Sequence, residues 1–191
     1  MSILISGCTG FIGSHLTKEL ISKGYNISAI VRHSPRGVTI PKEVNIITAD
    51  LTDIFSLKKA VKESQPEYII HLAAQTPVRF SWSNPFLYEE VNTRGTLNFL
   101  MASMESPMLK RFIYASTAEC YKSKEGLIKE EDQLFGSTPY GVCFHPNSMV
   151  YLPSTVKKVS DIKENDIILG FSEQKVINNI PFIYNGVMIE L

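Results

Sequence analysis

The sequence has little surplus of anything, and each shortage rules something out. Its 19 lysines and arginines are matched by 19 aspartates and glutamates, so it lacks the clustered positive charge that holds proteins on nucleic acid. The balance also holds locally, with 15 basic and 14 acidic residues up to Val142 and 4 and 5 after it, which sum to the 19 and 19 of the chain. The Lys157-Lys158 pair reads as a solvated turn. Three cysteines, Cys8, Cys120 and Cys143, are too few and too irregular for a disulfide framework, and a reducing, cytoplasmic setting is expected. No run approaches the roughly 18 consecutive apolar residues of a membrane span. No basic n-region precedes the first apolar run, so no secretory signal is expected. There is no internal repeat. What is present is apolar content of 44% in 191 residues, ample for one or two packed domains.

The first 142 residues alternate short apolar runs with helical periodicity, which predicts parallel strands joined by crossover helices. Strands are expected at Ser2 to Ser6, Ile27 to Val31, Val44 to Thr48, Tyr68 to Leu72 and Arg111 to Ala115. Helices are expected at Ser14 to Lys23, stopped by Gly24, at Leu57 to Glu63, and at Pro85 to Met104. Right-handed crossovers turn this order into a doubly wound α/β sheet of Rossmann type, with its ligand crevice at the carboxyl ends of the strands.

At the first strand end stands Gly7-Cys8-Thr9-Gly10-Phe11-Ile12-Gly13. Glycines there permit a tight bend, let backbone approach a pyrophosphate and allow the helix to pack close to the strand. The helix N-terminus then offers free N–H groups and the positive end of its dipole. A glycine triplet also serves ordinary strand-to-helix turns, but this one follows a strand and opens an amphipathic helix. Gly7, Thr9, Gly10, Phe11, Ile12 and Gly13 are therefore candidate contacts to a dinucleotide.

The Gly-x-x-Gly-x-x-Gly spacing resembles the extended branch of the short-chain dehydrogenase/reductase superfamily, the nucleotide-sugar epimerases and dehydratases. Four further stretches carry the resemblance: Ala49 to Asp53, His71 to Gln75, Val91 to Asn98 and Tyr114 to Tyr121. It implies that Asp50 and Leu51 lie by the adenine and that Ala73 and Ala74 flank the cofactor. Asn92 is implied to be structural, and Thr117, Glu119 and Tyr140 to be catalytic. Family members often dimerise through helices near Pro85 and Tyr140, and a homodimeric parent is expected on that ground. Each residue type also has a plain structural use: Asp50 as a turn cap, His71 as a core residue with no chemical role, Asn92 as a local backbone partner, and Ser116 and Thr117 as strand-edge hydroxyls.

Cofactor choice turns on the end of the second strand, where an acid favours NAD and an arginine accommodates a 2′-phosphate. The sequence there is Val31-Arg32-His33-Ser34-Pro35-Arg36. Arg32 makes NADP the favoured form, with NAD admitted. The resemblance further implies that the Thr117 hydroxyl binds the sugar oxygen being oxidised, and that Glu119 removes the C5 proton, as in GDP-mannose 4,6-dehydratases. An epimerase or decarboxylase remains the alternative, and the aspartate that other dehydratases carry is replaced by Ala118. The expected partner is a nucleotide sugar.

A phenol ordinarily ionises near a pKa of about 10 and needs a neighbouring cation to act as a base at neutrality. In the family that cation is the lysine of Tyr-x-x-x-Lys. After Tyr140 the fourth position is Phe144. From Cys143 onward the sequence instead resembles the start of an intein: Cys143 to Leu152 resembles its opening block, and Val156 to Gly170 its next, with Asn165 where a glycine is usual. The resemblance implies that the Cys143 sulfur attacks the Val142 carbonyl in an N-to-S acyl shift. A small buried loop cysteine is its plain alternative. Strands are expected at Lys175 to Ile180, Phe182 to Tyr184 and Val187 to Leu191, which makes residues 143–191 a short β-rich, Hint-type segment. The intein's later Thr-x-x-His block and terminal His-Asn are not found in residues 143–191. The expectation is therefore a precursor, either truncated or split with a partner chain, that is inactive until a Ser-Lys pair is joined to Val142. The alternative is a finished dinucleotide-binding protein without turnover.

Overall fold

β1 (Ser2–Ser6) lies at the middle of a five-stranded sheet and is paired in parallel on both sides, with β2 (Asn26–Val31) and with β4 (Tyr68–His71). In this computed structural model residues 1–32 and 39–141 are described, together with the backbone of four three-residue strands beyond them. β3 (Asn45–Thr48) joins β2, and β5 (Arg111–Tyr114) joins β4, both in parallel. The order is β3-β2-β1-β4-β5. It reverses between β1 and β4, the switch point where such sheets open a crevice at their carboxyl ends.

Alternate residues of each strand feed opposite faces. On one face Leu4, Ile30, Ile47 and Ile69 pack with Leu57, Ala60, Val61, Phe99 and Ala102 of two helices. On the other, Ile3, Ile5, Ile27, Ala29 and Val31 pack against Leu20 and Ile21. The expected double winding is thus present, with α1 (Phe11–Ser22) on one face and α2 (Ile54–Ser64) and α5 (Gly95–Ser103) on the other.

Helix starts differ most from the sequence expectation. α1 begins at Phe11 rather than Ser14, because Gly10 takes the extended N-cap conformation (φ −77°, ψ 173°) without lending a side chain. α2 begins at Ile54 rather than Leu57, because the Asp53 carboxylate accepts the Phe55 N–H at 3.0 Å. The long helix expected from Pro85 is divided into α4 (Pro85–Tyr88), a π-helical turn (Glu89–Arg94) and α5. A short α3 (Val78–Ser81) was not legible in the pattern.

The chain divides into two compact units, Met1–Cys143 and Phe144–Leu191. In the second, β6 (Met149–Tyr151) pairs antiparallel with β7 (Val156–Lys158), and β8 (Ile167–Leu169) with β9 (Glu173–Lys175). Of the three strands expected from residue 175 onward, only Lys175 falls in a described strand; the rest lie outside the described residues.

Candidate functional site

Gly7 ends β1 with φ +78°, in the left-handed region, and a Cβ built on it would lie 2.7 Å from the Ala73 nitrogen. The Gly10 N–H donates to the Gly7 carbonyl at 3.0 Å, which closes the turn. A Cβ on Gly13 would lie 2.0 Å from the same carbonyl oxygen, so a larger residue at either position forces the turn open. The first helical bond of α1 runs from the Ser14 N–H to the Gly10 carbonyl. The N–H groups of Phe11, Ile12 and Gly13 therefore precede the helical ladder. No side chain caps this terminus and its first turn holds no acid, whereas α2 has its Asp53. Three free donors, an unopposed dipole end and the exposed Gly10, which carries no Cβ, fit a dinucleotide's pyrophosphate. Thr9 is half-buried in the turn, and Cys8 is buried, with burial pushing its thiol up and leaving it unreactive.

Across the switch point, β4 ends in a chain of buried hydrogen bonds. The Thr96 hydroxyl donates to the Asn92 carbonyl at 2.7 Å, so it must accept from His71 Nε2 at 2.9 Å. His71 Nδ1 then accepts from Ser6 Oγ at 2.5 Å, and Ser6 Oγ in turn accepts the Ala73 N–H at 3.3 Å. Burial lowers the His71 pKa to about 4, which keeps the ring neutral in this tautomer. Its ring lies against Phe99, Phe112 and Tyr114. The structure thus gives His71 a core role, as the residue type suggested. Asn92 holds the next loop from both sides, accepting the Gln75 N–H at 2.8 Å and donating to its carbonyl at 3.0 Å.

Asp50 also makes a turn: its Oδ1 accepts from the Thr52 N–H and hydroxyl, both at 2.9 Å. The carbonyl of buried Leu51 accepts from Asn98 Nδ2 at 3.0 Å. Ala73 is half-buried and Ala74 exposed at the crevice side of β4. Arg32 is exposed at the end of β2, and residues 33–36 of the cofactor-selecting loop lie outside the described residues.

Beyond β5, the Thr117 hydroxyl caps a short 3-10 turn, Ala118–Cys120, by accepting the Glu119 N–H at 3.2 Å. This bond does not use the hydroxyl proton of Thr117. The chain then folds back on itself. Tyr121 bridges to Leu134, Lys122 N–H donates to Gln133 at 2.9 Å, Phe135 N–H donates to Cys120 at 2.8 Å, and Lys124 pairs with Asp132. That excursion returns Tyr140 and Gly141 to the 3-10 turn, where a Cβ on Gly141 would lie 2.4 Å from the Glu119 carbonyl. The segments bearing Thr117, Glu119 and Tyr140 are thereby brought together although 20 residues separate the second from the third. The Tyr140 ring meets the Tyr88 ring edge to face at 6.2 Å and 81°. The sequence reading missed Tyr88; its spacing of four from Asn92, one helical turn, was the available signal. Cys143 lies outside the described residues. Among them no group of three or more His, Cys, Asp or Glu can hold a metal ion, and no helix is long and apolar enough to cross a membrane.

A parallel sheet with a switch-point crevice and an uncapped glycine turn defines a dinucleotide-binding, Rossmann-type domain. A family model described as GDP-mannose 4,6 dehydratase matches residues 4–143. A probable UDP-glucuronate 4-epimerase of Rhizobium meliloti (strain 1021) is 36% identical over 137 residues, 65% of this chain and 40% of its own length. A GDP-mannose 4,6-dehydratase of Yersinia enterocolitica is 36% identical over 158 residues, 73% of this chain and 41% of its own. The solved UDP-glucose 4-epimerase of Thermus thermophilus, a complex with NAD, superposes with a TM-score of 0.69 at 30% identity, covering 75% of this chain and 47% of that one. The chain belongs to the NAD-dependent epimerase/dehydratase family and carries its NAD-binding, Rossmann-type part. It spans less than half the length of these relatives.

Proposed function

We propose that residues 1–142 are the cofactor-binding part of a nucleotide-sugar 4,6-dehydratase, and that an intein begins at Cys143. The observation that carries the first half is the uncapped N-terminus of α1 behind the Gly7-Gly10-Gly13 turn. Bound there, NADP or NAD would supply the nicotinamide that accepts hydride from sugar C4. Arg32, exposed at the end of β2, favours NADP, whereas the Thermus relative is a complex with NAD and supports that form.

The chain's own residues divide the proton work. Tyr140 takes the proton of the sugar hydroxyl, and the unused O–H of Thr117 donates to that oxygen. The Glu119 carboxylate takes the C5 proton beside the new carbonyl and passes it to the C6 hydroxyl, which leaves as water; the hydride taken from C4 then returns to C6 and a proton to C5, which balances the dehydration. Glu119 tilts the reading modestly toward dehydration, since inverting C4 alone requires no carbon base at C5, while some epimerases and decarboxylases of the family also carry a glutamate at this position. Tyr140 needs a cation to work at neutral pH, and Phe144 cannot provide one. Joining Val142 to a Ser-Lys pair would restore Tyr-x-x-x-Lys. That is what excision of a segment starting at Cys143 would do, with the Cys143 sulfur forming a thioester to Val142 and freeing the Cys143 amine.

Titration of the chain with NADP and NAD, read by calorimetry, tests the cofactor site. Saturable binding is expected, tighter for NADP, with Gly13→Ala weakening it by at least about tenfold because the new Cβ meets the Gly7 carbonyl. Absence of binding by either dinucleotide would reject the reading.

A further inference from the structure

The π-helical turn Glu89–Arg94 sits between two α-helical segments, and such insertions re-aim side chains at functional places. Here two residues four apart grip one loop. Asn92 bonds both backbone groups of Gln75, and Tyr88 Oη donates to the Pro77 carbonyl at 2.6 Å. Tyr88 is 2% exposed, so its phenol is held at the oxygen end and by packing along the ring. The ring so fixed is the one that meets Tyr140 edge to face.

We infer that Tyr88 is a positioning residue for Tyr140: it holds the ring of the proposed base against the helix that also sets the loop beside the cofactor. The inference rests on reading Tyr140 as the base. Gly141, the neighbour of Tyr140, is held by its N–H to Thr138 Oγ1 at 3.0 Å and by its close approach to the Glu119 carbonyl, but these bonds fix backbone and leave the side-chain torsions open. An aromatic edge against its ring closes that freedom, and such pairs are favourable beyond the area they bury. The oxygen-end bond of Tyr88 explains why a tyrosine stands there: a phenylalanine would pack but would not be tied to Pro77.

The full chain carries the test. Nuclear Overhauser contacts between the two rings are measured in protein with labelled tyrosine. Nitration of Tyr140 by tetranitromethane is followed by mass spectrometry in the parent and in Tyr88→Leu and Tyr88→Phe, with thermal melts and the NADP titration as fold controls. Expected are a ring-to-ring contact in the parent, several-fold faster nitration of Tyr140 in Tyr88→Leu with cooperative melting kept, and a near-parental rate in Tyr88→Phe. No ring-to-ring contact in the parent, or an unchanged rate in a folded Tyr88→Leu, overturns the inference; the first measurement decides even if that variant fails to fold. In the enzyme rejoined through Ser-Lys, Tyr88→Leu is expected to lower kcat on the order of tenfold with KM little changed. Full turnover by Tyr140→Phe would instead reject the base while leaving the ring contact standing, so the two failures are distinguishable.

Discussion

His71 shows how one side chain can look catalytic and be structural. It stands at a strand end beside a cofactor crevice, yet both ring nitrogens are committed, one to Ser6 and one to Thr96. Its pKa is lowered to about 4 by burial, against an unfolded value near 6.5, so the unfolded chain binds the proton more readily. Stability from this residue is then fully present above about pH 6.5 and is lost as pH falls toward 4. The difference of about 2.5 units corresponds to roughly 3 kcal/mol at most. Urea unfolding at pH 7 and pH 5 should show a smaller loss on acidification for His71→Gln than for the parent. An equal loss in both would mean that the ring is not held neutral. Nothing in the pattern around His71 announced its partners: Ser6 and Thr96 are 65 and 25 residues away, and a single sequence does not show which distant hydroxyls meet a ring.

Helix ends separate the two uses of a terminus in this fold. α2 spends a side chain on its start, with Asp53 accepting from Phe55. α1 leaves its start bare. Replacing Asp53 with alanine should therefore cost about 1 kcal/mol of stability, seen as a lower melting temperature, while leaving dinucleotide affinity unchanged; a loss of affinity would place α2 in the site. The five strands of the parallel sheet were read to within a residue because short apolar runs bounded by turn residues are a strong local signal. Helix starts were read less well, since the apolar period gives the buried face but not the cap: Leu57 was visible and Asp53 was not. The π-turn was invisible for a related reason, as Pro85 to Ser103 keeps an apolar face through the inserted residue. Of the site, the glycine turn was legible, because only glycine fits where a Cβ would strike a carbonyl. The meeting of Glu119 with Gly141 depends on the fold-back of residues 121–135, which no periodicity encodes.

At the scale of the molecule, the family match ends at residue 143 and the compact unit at Cys143, beside the Val142-Cys143 bond proposed for splicing. Sequencing downstream of codon 191 should reveal, in the same frame or in a second gene, an intein's carboxy-terminal portion followed by Ser-Lys. Co-expression of that portion with this chain should then yield a product joined at Val142, and Cys143→Ala should yield none. A joined product from the alanine variant would remove Cys143 from the chemistry.

The sheet order has a consequence for how such a protein is made. β2 and β3 are added outward on one side of β1, then β4 and β5 outward on the other, so each strand is laid on a finished border and none has to be wedged between two already joined. A chain emerging from the ribosome can thus complete all five strands by residue 114, 28 positions before Val142 (142 − 114). By accretion of this kind every strand that borders the crevice precedes Cys143 in the chain, and any later cutting and joining acts beyond a sheet that borrows no strand from the residues after it.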